Sequence, residues 1–255
     1  MSTSQPSPAA FAAAYERAAS AGASAVVSVH LSGDLSGTVQ AARLAAEQAP
    51  IAVHVVDSRA VGMALGYAVL EAARLASGGA ATPTTLMAPA PPVVPAVRSW
   101  FQRRAAPTPL PAAEVVAAHA ATIAESAGVW FLVDSLEHLR RGGRLSAPAA
   151  AIGTVLGLRP LLTLADGHVM VAEKVRTRRA ARDRLQAVVL EDVARRGRAR
   201  VAVHHLGQHD VAQAIAEQLA AWAGERVIEV VVCESSAVLA AHAGPGLLAA
   251  VVVDA

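Results

Sequence analysis

The chain has 255 residues, room for one large or two ordinary domains, and is 54% apolar against 16% charged, so a sizeable core is within reach. Aromatics are scarce at 3%, and 22 Lys and Arg against 20 Asp and Glu leave a net charge of +2, too small an excess to argue for a nucleic-acid partner. The single cysteine, Cys233, excludes an intrachain disulfide and any metal site built on a thiolate pair.

The first eight residues carry no basic stretch followed by an apolar one and do not read as a secretion signal. Residues 25–30 form a short β-branched run and predict a strand. A Ser/Gly loop over 31–37 follows, then helical spacing over 38–48 that ends near Pro50. The pattern recurs. Residues 51–56 read as a strand, Asp57 and Ser58 as caps, and 61–76 as an apolar helix stopped by Gly78-Gly79. Residues 129–133 read as a third strand, with Asp134-Ser135 as caps and 136–141 as a short helix closed by Gly142-Gly143. Alternation of this kind predicts a parallel sheet covered on both faces.

Residues 80–111 break the pattern. They hold eight of the fourteen prolines and show no apolar period, so they cannot supply a central strand or a continuous helix and are expected to form a surface insert. Trp100-Phe101 within it reads either as a docking pair or as an exposed aromatic pair. The second half differs again. Residues 159–164 and 169–175, joined by the turn 165–168, read as a β-hairpin. Residues 177–193 read as a basic amphipathic helix, and 200–204 and 227–233 as strands flanking a helix over 211–222. A division follows into an N-terminal α/β domain, 1–143, and a C-terminal α+β domain, 144–255. Residues 237–253 are the longest apolar stretch, but His242 and Gly244-Pro245-Gly246 split it into pieces too short to span a bilayer. A soluble, cytoplasmic protein without a membrane segment is expected.

Three constellations carry chemistry. His30-Leu31-Ser32-Gly33-Asp34-Leu35-Ser36-Gly37-Thr38 lies between a strand and a helix. The first amides of a helix lack internal partners and carry the positive end of its dipole, so with hydroxyls from Ser32, Ser36 and Thr38 this loop could hold a carboxylate or phosphate. The same residue types also serve plain N-capping. A nucleophile elbow, Gly-x-Ser-x-Gly, is not matched, because Gly33-Asp34-Leu35-Ser36-Gly37 places its serine one position late. A phosphate-binding Gly-Lys-Ser/Thr loop is absent as well. His242, between small residues and ahead of Gly-Pro-Gly, could donate to an anion in a cleft or sit as a satisfied core histidine. Arg140-Arg141-Gly142-Gly143-Arg144 could fork onto an anion or merely complement a helix C-terminus. Lys174 and Arg176 share one face of a strand. The Arg-rich stretches 176–184 and 195–200 have no interleaved aromatics and read as solvated surface rather than as an RNA site.

Taken in order, these pieces resemble the DegV family. Thr3-Ser4-Gln5-Pro6-Ser7, the loop from His30 to Thr38, Asp57-Ser58 with Gly62 and Gly66, Val133-Asp134-Ser135-Leu136 with Arg141-Gly142-Gly143-Arg144, Arg159-Pro160-Leu161-Leu162 with Lys174-Val175-Arg176, and His242-Ala243-Gly244-Pro245-Gly246 each look like a family motif. The resemblance implies two domains with a long-chain fatty acid in the cleft between them: a parallel-sheet α/β domain, here apparently lacking its first strand region, and an α+β domain. It implies that Thr3, Ser32 or Ser36, and His242 hold the carboxylate and that the tail fills an apolar tunnel. Arg144, Gly33 and Gly244 become auxiliary head-group or partner-docking positions, although Gly33 stands where the family has a second serine. No catalytic residue, metal or cofactor other than the bound acid is implied. The partner is a separate fatty-acid kinase that makes an acyl phosphate, in the bacterial cytoplasm. A stand-alone acyl-ester hydrolase and a degenerate, non-binding member are the competing expectations. Burial of an acyl chain gains about 0.8 kcal/mol per CH₂, so an apolar tunnel alone supplies much of the affinity.

Overall fold

A computed structural model describes residues 3–78, 110–145 and 159–255. Nearly all of the proline-rich segment 80–111, with Trp100-Phe101, lies outside the described residues. The α/β class expected from the sequence holds, with one parallel and one mixed sheet.

Strands β1 (Ala25–His30) and β2 (Ala52–Asp57) pair in parallel, Ala25 opposite Ala52 through to His30 opposite Asp57. Side chains alternate along a strand, and β1 uses both faces. Val27 and Val29 pack with Ala72 and Leu75 of α3 (Met63–Ala76) and with Val116 and Ala120 of α4 (Ala113–Ser126). Ser28 and His30 face α1 (Pro8–Ser20), where the Ser28 hydroxyl lies 3.0 Å from that of Tyr15 and the His30 ring meets Phe11 edge-on. Helix α2 (Thr38–Ala46) packs beside α1 and β2.

The larger sheet has six strands in the order β5-β4-β3-β8-β6-β7. These are β3 (Gly128–Leu132), β4 (Arg159–Ala165), β5 (His168–Val175), β6 (Ala199–His205), β7 (Val227–Glu234) and β8 (Leu248–Asp254). Only β6 and β7 run parallel. The expected hairpin forms, and its turn residues Asp166 and Gly167 both take positive φ, 50° and 82°, as a two-residue turn matched to strand twist requires. Strand β3 corrects an expectation. It does not extend the parallel sheet; Phe131 sits antiparallel to Leu162 of β4 and to Ala249 of β8. An apolar run buried on both faces reads alike in either orientation, and here its partners come from the far end of the chain. A division at 143/144 therefore passes through this sheet.

One face of the sheet is covered by α6 (Arg178–Arg196) and α7 (His209–Ala223), which bury Leu185, Val189 and Leu219 against Val201, Val203 and Val252. The Thr177 side chain caps α6 by accepting from the Ala180 amide at 3.1 Å. The other face meets α3 and α4 through Ala64, Tyr67, Ala68 and Ala124. Helices α3 and α4 thus lie between the two sheets. Two short helices, α5 (Glu137–Arg141) and α8 (Ala237–Ala243), pack against each other at one end of the large sheet.

A polar tether reinforces the join. Arg200 of β6 donates to Glu71 of α3 at 2.8 Å and lies over the Tyr67 ring, 4.9 Å from its centroid, while Arg74 donates to the same carboxylate at 2.8 Å. Burial pushes Glu71 upward, but the hydrogen bonds from Arg74 and Arg200 outweigh it and hold the carboxyl below its ordinary value. A depressed carboxylate stabilises the fold above its unfolded pKa and loses that contribution as pH falls through the folded one. Glu71→Gln is therefore expected to cost about 1–3 kcal/mol at neutral pH, read as a lower urea midpoint with an unchanged slope. The gap from wild type should narrow in acid. A gap that persists below the carboxylate range would contradict this reading.

Candidate functional site

Residues from opposite ends of the sequence meet. The Thr3 hydroxyl and His242 Nε2 are 2.7 Å apart, across 239 residues of sequence. His242 sits near the end of α8, which the Ser236 hydroxyl caps by accepting from the Leu239 amide. Gly244 then turns the chain with φ 76° and ψ −173°, a conformation open in practice only to glycine. A Cβ on Gly244 would lie 2.5 Å from His138 Nδ1, and one on Gly246 2.4 Å from Asp134 Cγ. The Asp134 amide donates to the Pro245 carbonyl at 3.1 Å. The Gly-Pro-Gly turn is thus fitted against residues 134–138, and that fit fixes the end of α8 and its imidazole.

Arg144 joins the same corner. Its Nε donates to the Leu35 carbonyl at 3.0 Å and its Nη1 to the Gly142 carbonyl, tying the segment after α5 to the Ser/Gly loop. Burial first, and then the Arg144 charge, push His242 below its ordinary value. At neutral pH the imidazole is therefore an uncharged hydrogen-bonding group, and Arg144 supplies the positive charge.

The loop residues divide. The Ser36 hydroxyl lies 2.8 Å from that of Thr38 and accepts from the Thr38 amide at 3.4 Å, while Gln5 lies against Gly37. Thr3, Arg144 and His242 are thus drawn towards one corner, and Ser36 follows directly on Leu35, whose carbonyl Arg144 holds. Ser32 departs from its expected role as a carboxylate ligand. It is fully buried, its hydroxyl donates to the Gly167 carbonyl at 2.8 Å, and it holds the hairpin turn instead. Gly33 donates its amide to Asp57 Oδ1 at 3.1 Å, and a Cβ there would lie 2.7 Å from Asp57 Oδ2. The missing serine thus coincides with a close approach of backbone to carboxylate. Asp34 turns to the hairpin, 3.7 Å from His168.

His242 and Arg144 also line a cavity of about 110 Å³ whose walls are otherwise almost wholly apolar. Phe131 of β3, Leu164 of β4, Val169 of β5 and Ala249 and Val251 of β8 form its floor, with Leu239 of α8 and Leu35 above. Period-two alternation on β3 and β8 selects these residues, since their sequence neighbours Trp130, Leu132, Leu248 and Ala250 pack on the opposite face. Gly62, His204 and Ser235 complete the lining. A larger recess, about 250 Å³, is walled by Arg159, Arg178 and Arg182 around Asp134, which bonds the first two at 3.1 and 3.0 Å. Its charge makes it unfit for an acyl tail.

Ser36 has no imidazole partner among the described residues. Ser28 does bond His30 Nε2 at 2.7 Å, but it also bonds Tyr15 and lies on the small sheet, outside the cavity lining. Among the described residues no cluster could hold a metal ion, and no helix is long and apolar enough to cross a membrane.

The model of a family described as uncharacterised DegV proteins matches residues 1–99 and 111–255. A DegV domain-containing protein of Streptomyces coelicolor is 38% identical over 255 residues, covering 99% of this chain and 78% of its own length. A DegV family protein from Thermus thermophilus, described for its fatty acid binding, has the same fold, with a TM-score of 0.79 at 34% identity over 100% of this chain and 79% of that one. DegV of Bacillus subtilis, described as a fatty acid binding protein, gives 0.78 at 29% identity with the same coverage.

Proposed function

The chain belongs to the DegV family, and on that premise we propose that it binds one long-chain fatty acid, with the carboxylate at the Thr3–His242 corner and the tail in the apolar cavity. The observation that carries this reading is the meeting of a threonine hydroxyl and a neutral imidazole at 2.7 Å, where His242 itself lines an apolar cavity. A carboxylate accepts from both groups once they exchange their mutual bond, and charge-assisted bonds of this kind are the stronger ones. Arg144 supplies the opposite charge, and Ser36 is the further hydroxyl within the same corner. Ser32 is left out of the ligand set because its hydrogen is already engaged.

The carrier role is supported by the fatty acid binding for which the similar DegV structures are described. Presentation of the acid to a separate cytoplasmic fatty-acid kinase, which would form the acyl phosphate, follows from the family resemblance. The head-group assignment is tested by comparing a free fatty acid with its methyl ester on delipidated protein. The ester keeps the tail but loses the charge, and it is expected to bind about tenfold more weakly or worse. Equal affinities would remove the carboxylate from this corner.

A further inference from the structure

We infer that the cavity has a second polar anchor, His204 with Ser235, and that its ligand is a fatty acid bearing a hydroxyl or keto oxygen part-way along the chain. The inference rests on the proposed placement of the carboxylate at His242. Both residues line the same cavity as His242. Each is only 7% exposed, yet His204 Nδ1 and Ser235 Oγ have no hydrogen-bond partner among the described residues. Buried polar atoms are nearly always paired, and two orphans lining one apolar cavity are unusual.

The protonation of His204 follows from its neighbour. The Met63 amide, at the start of α3, donates to His204 Nε2 at 3.0 Å. Nε2 is therefore the acceptor, and the ring hydrogen sits on Nδ1. Burial first, and then His205, hold this histidine down at about 4, so the Nδ1 donor persists across the neutral range. Ser235 reaches the same side by register. His204 lies opposite Cys233, and Ser235 continues β7 by one alternation, with its amide donating to the His205 carbonyl at 2.7 Å. Ala202 and Val231, on that face, pack in the cluster that meets α3.

An N–H donor and a hydroxyl together suit a single oxygen with lone pairs, and a plain methylene chain leaves both unpaired. Position follows from α8. Ser235 lies just ahead of that helix and His242 near its end, a span of about 10 Å at the helical rise of roughly 1.5 Å per residue. The oxygen is thus expected part-way down the tail, well away from the carboxylate.

The test uses delipidated protein and a positional series of monohydroxy octadecanoic acids, compared with stearic acid. One mid-chain position should bind about tenfold more tightly than stearic acid, the ratio that one net hydrogen bond supplies. Ser235→Ala should bring those two affinities to within about twofold of each other, since the hydroxyl partner is gone. If stearic acid binds and every hydroxy acid binds no better, the second anchor is overturned while the fatty-acid reading stands. If no acid binds at all, both fall.

Discussion

Replacing His242 with alanine is expected to weaken fatty-acid binding by about ten- to a hundredfold, the range of a hydrogen bond to a charged group. His242 joins three parts of the proposed site. It bonds Thr3, it lies beside Arg144, and it lines the apolar cavity. Removing the imidazole takes away a donor to the carboxylate and leaves the Thr3 hydroxyl without its partner. The fold should tolerate the change, because the Thr3 contact is exposed and α8 is capped by Ser236 rather than by His242. Calorimetric titration of delipidated variant and wild type with one saturated acid measures the effect. A Kd within about twofold of wild type, with an unchanged melting temperature, would exclude His242 from the head-group site.

Gly244→Ala is expected to destabilise the fold by about 2–4 kcal/mol and to weaken binding as well. Its backbone occupies a region that an L side chain enters at a cost, and the added carbon would meet the His138 ring at 2.5 Å. The exposed His138 ring can swing aside, but the backbone strain is relieved only by moving the turn that ends α8. That movement shifts His242 relative to Arg144, so stability and affinity should fall together. Chemical denaturation reports the first and ligand titration the second. A stable variant with normal affinity would mean that this turn does not position the imidazole.

Much of the frame is written locally. The β-branched run of β1, the glycine-closed α5 and the Asp166-Gly167 turn each carry a short-range signal that the structure follows. Strand β8 does not. Leu-Ala-Ala-Val-Val-Val is buried on both faces at the centre of the sheet, so it shows no alternation to distinguish it from half of an apolar helix. Helices α1 and α4 carry no clear signal for a related reason: their alanine-rich sequences give little contrast between faces. Strand β3 is legible as a strand but its partners are not, because they lie in β4 and β8, far along the chain. In the site, the resemblance pointed to His242 and Thr3 but could not separate Ser32 from Ser36. Only the hairpin turn, 135 residues away, decides that Ser32 is a structural tie. His204 and Ser235 gave no signal at all, since a lone histidine and serine at strand ends matter only through the cavity they share.

Fatty-acid binding by this chain is tested by native mass spectrometry of the protein as purified from cells, followed by denaturation and identification of what it releases. One fatty acid per chain is expected, retained by wild type and depleted in His242→Ala. A wild-type chain that carries no lipid, and gains no mass when incubated with long-chain acids, would contradict it.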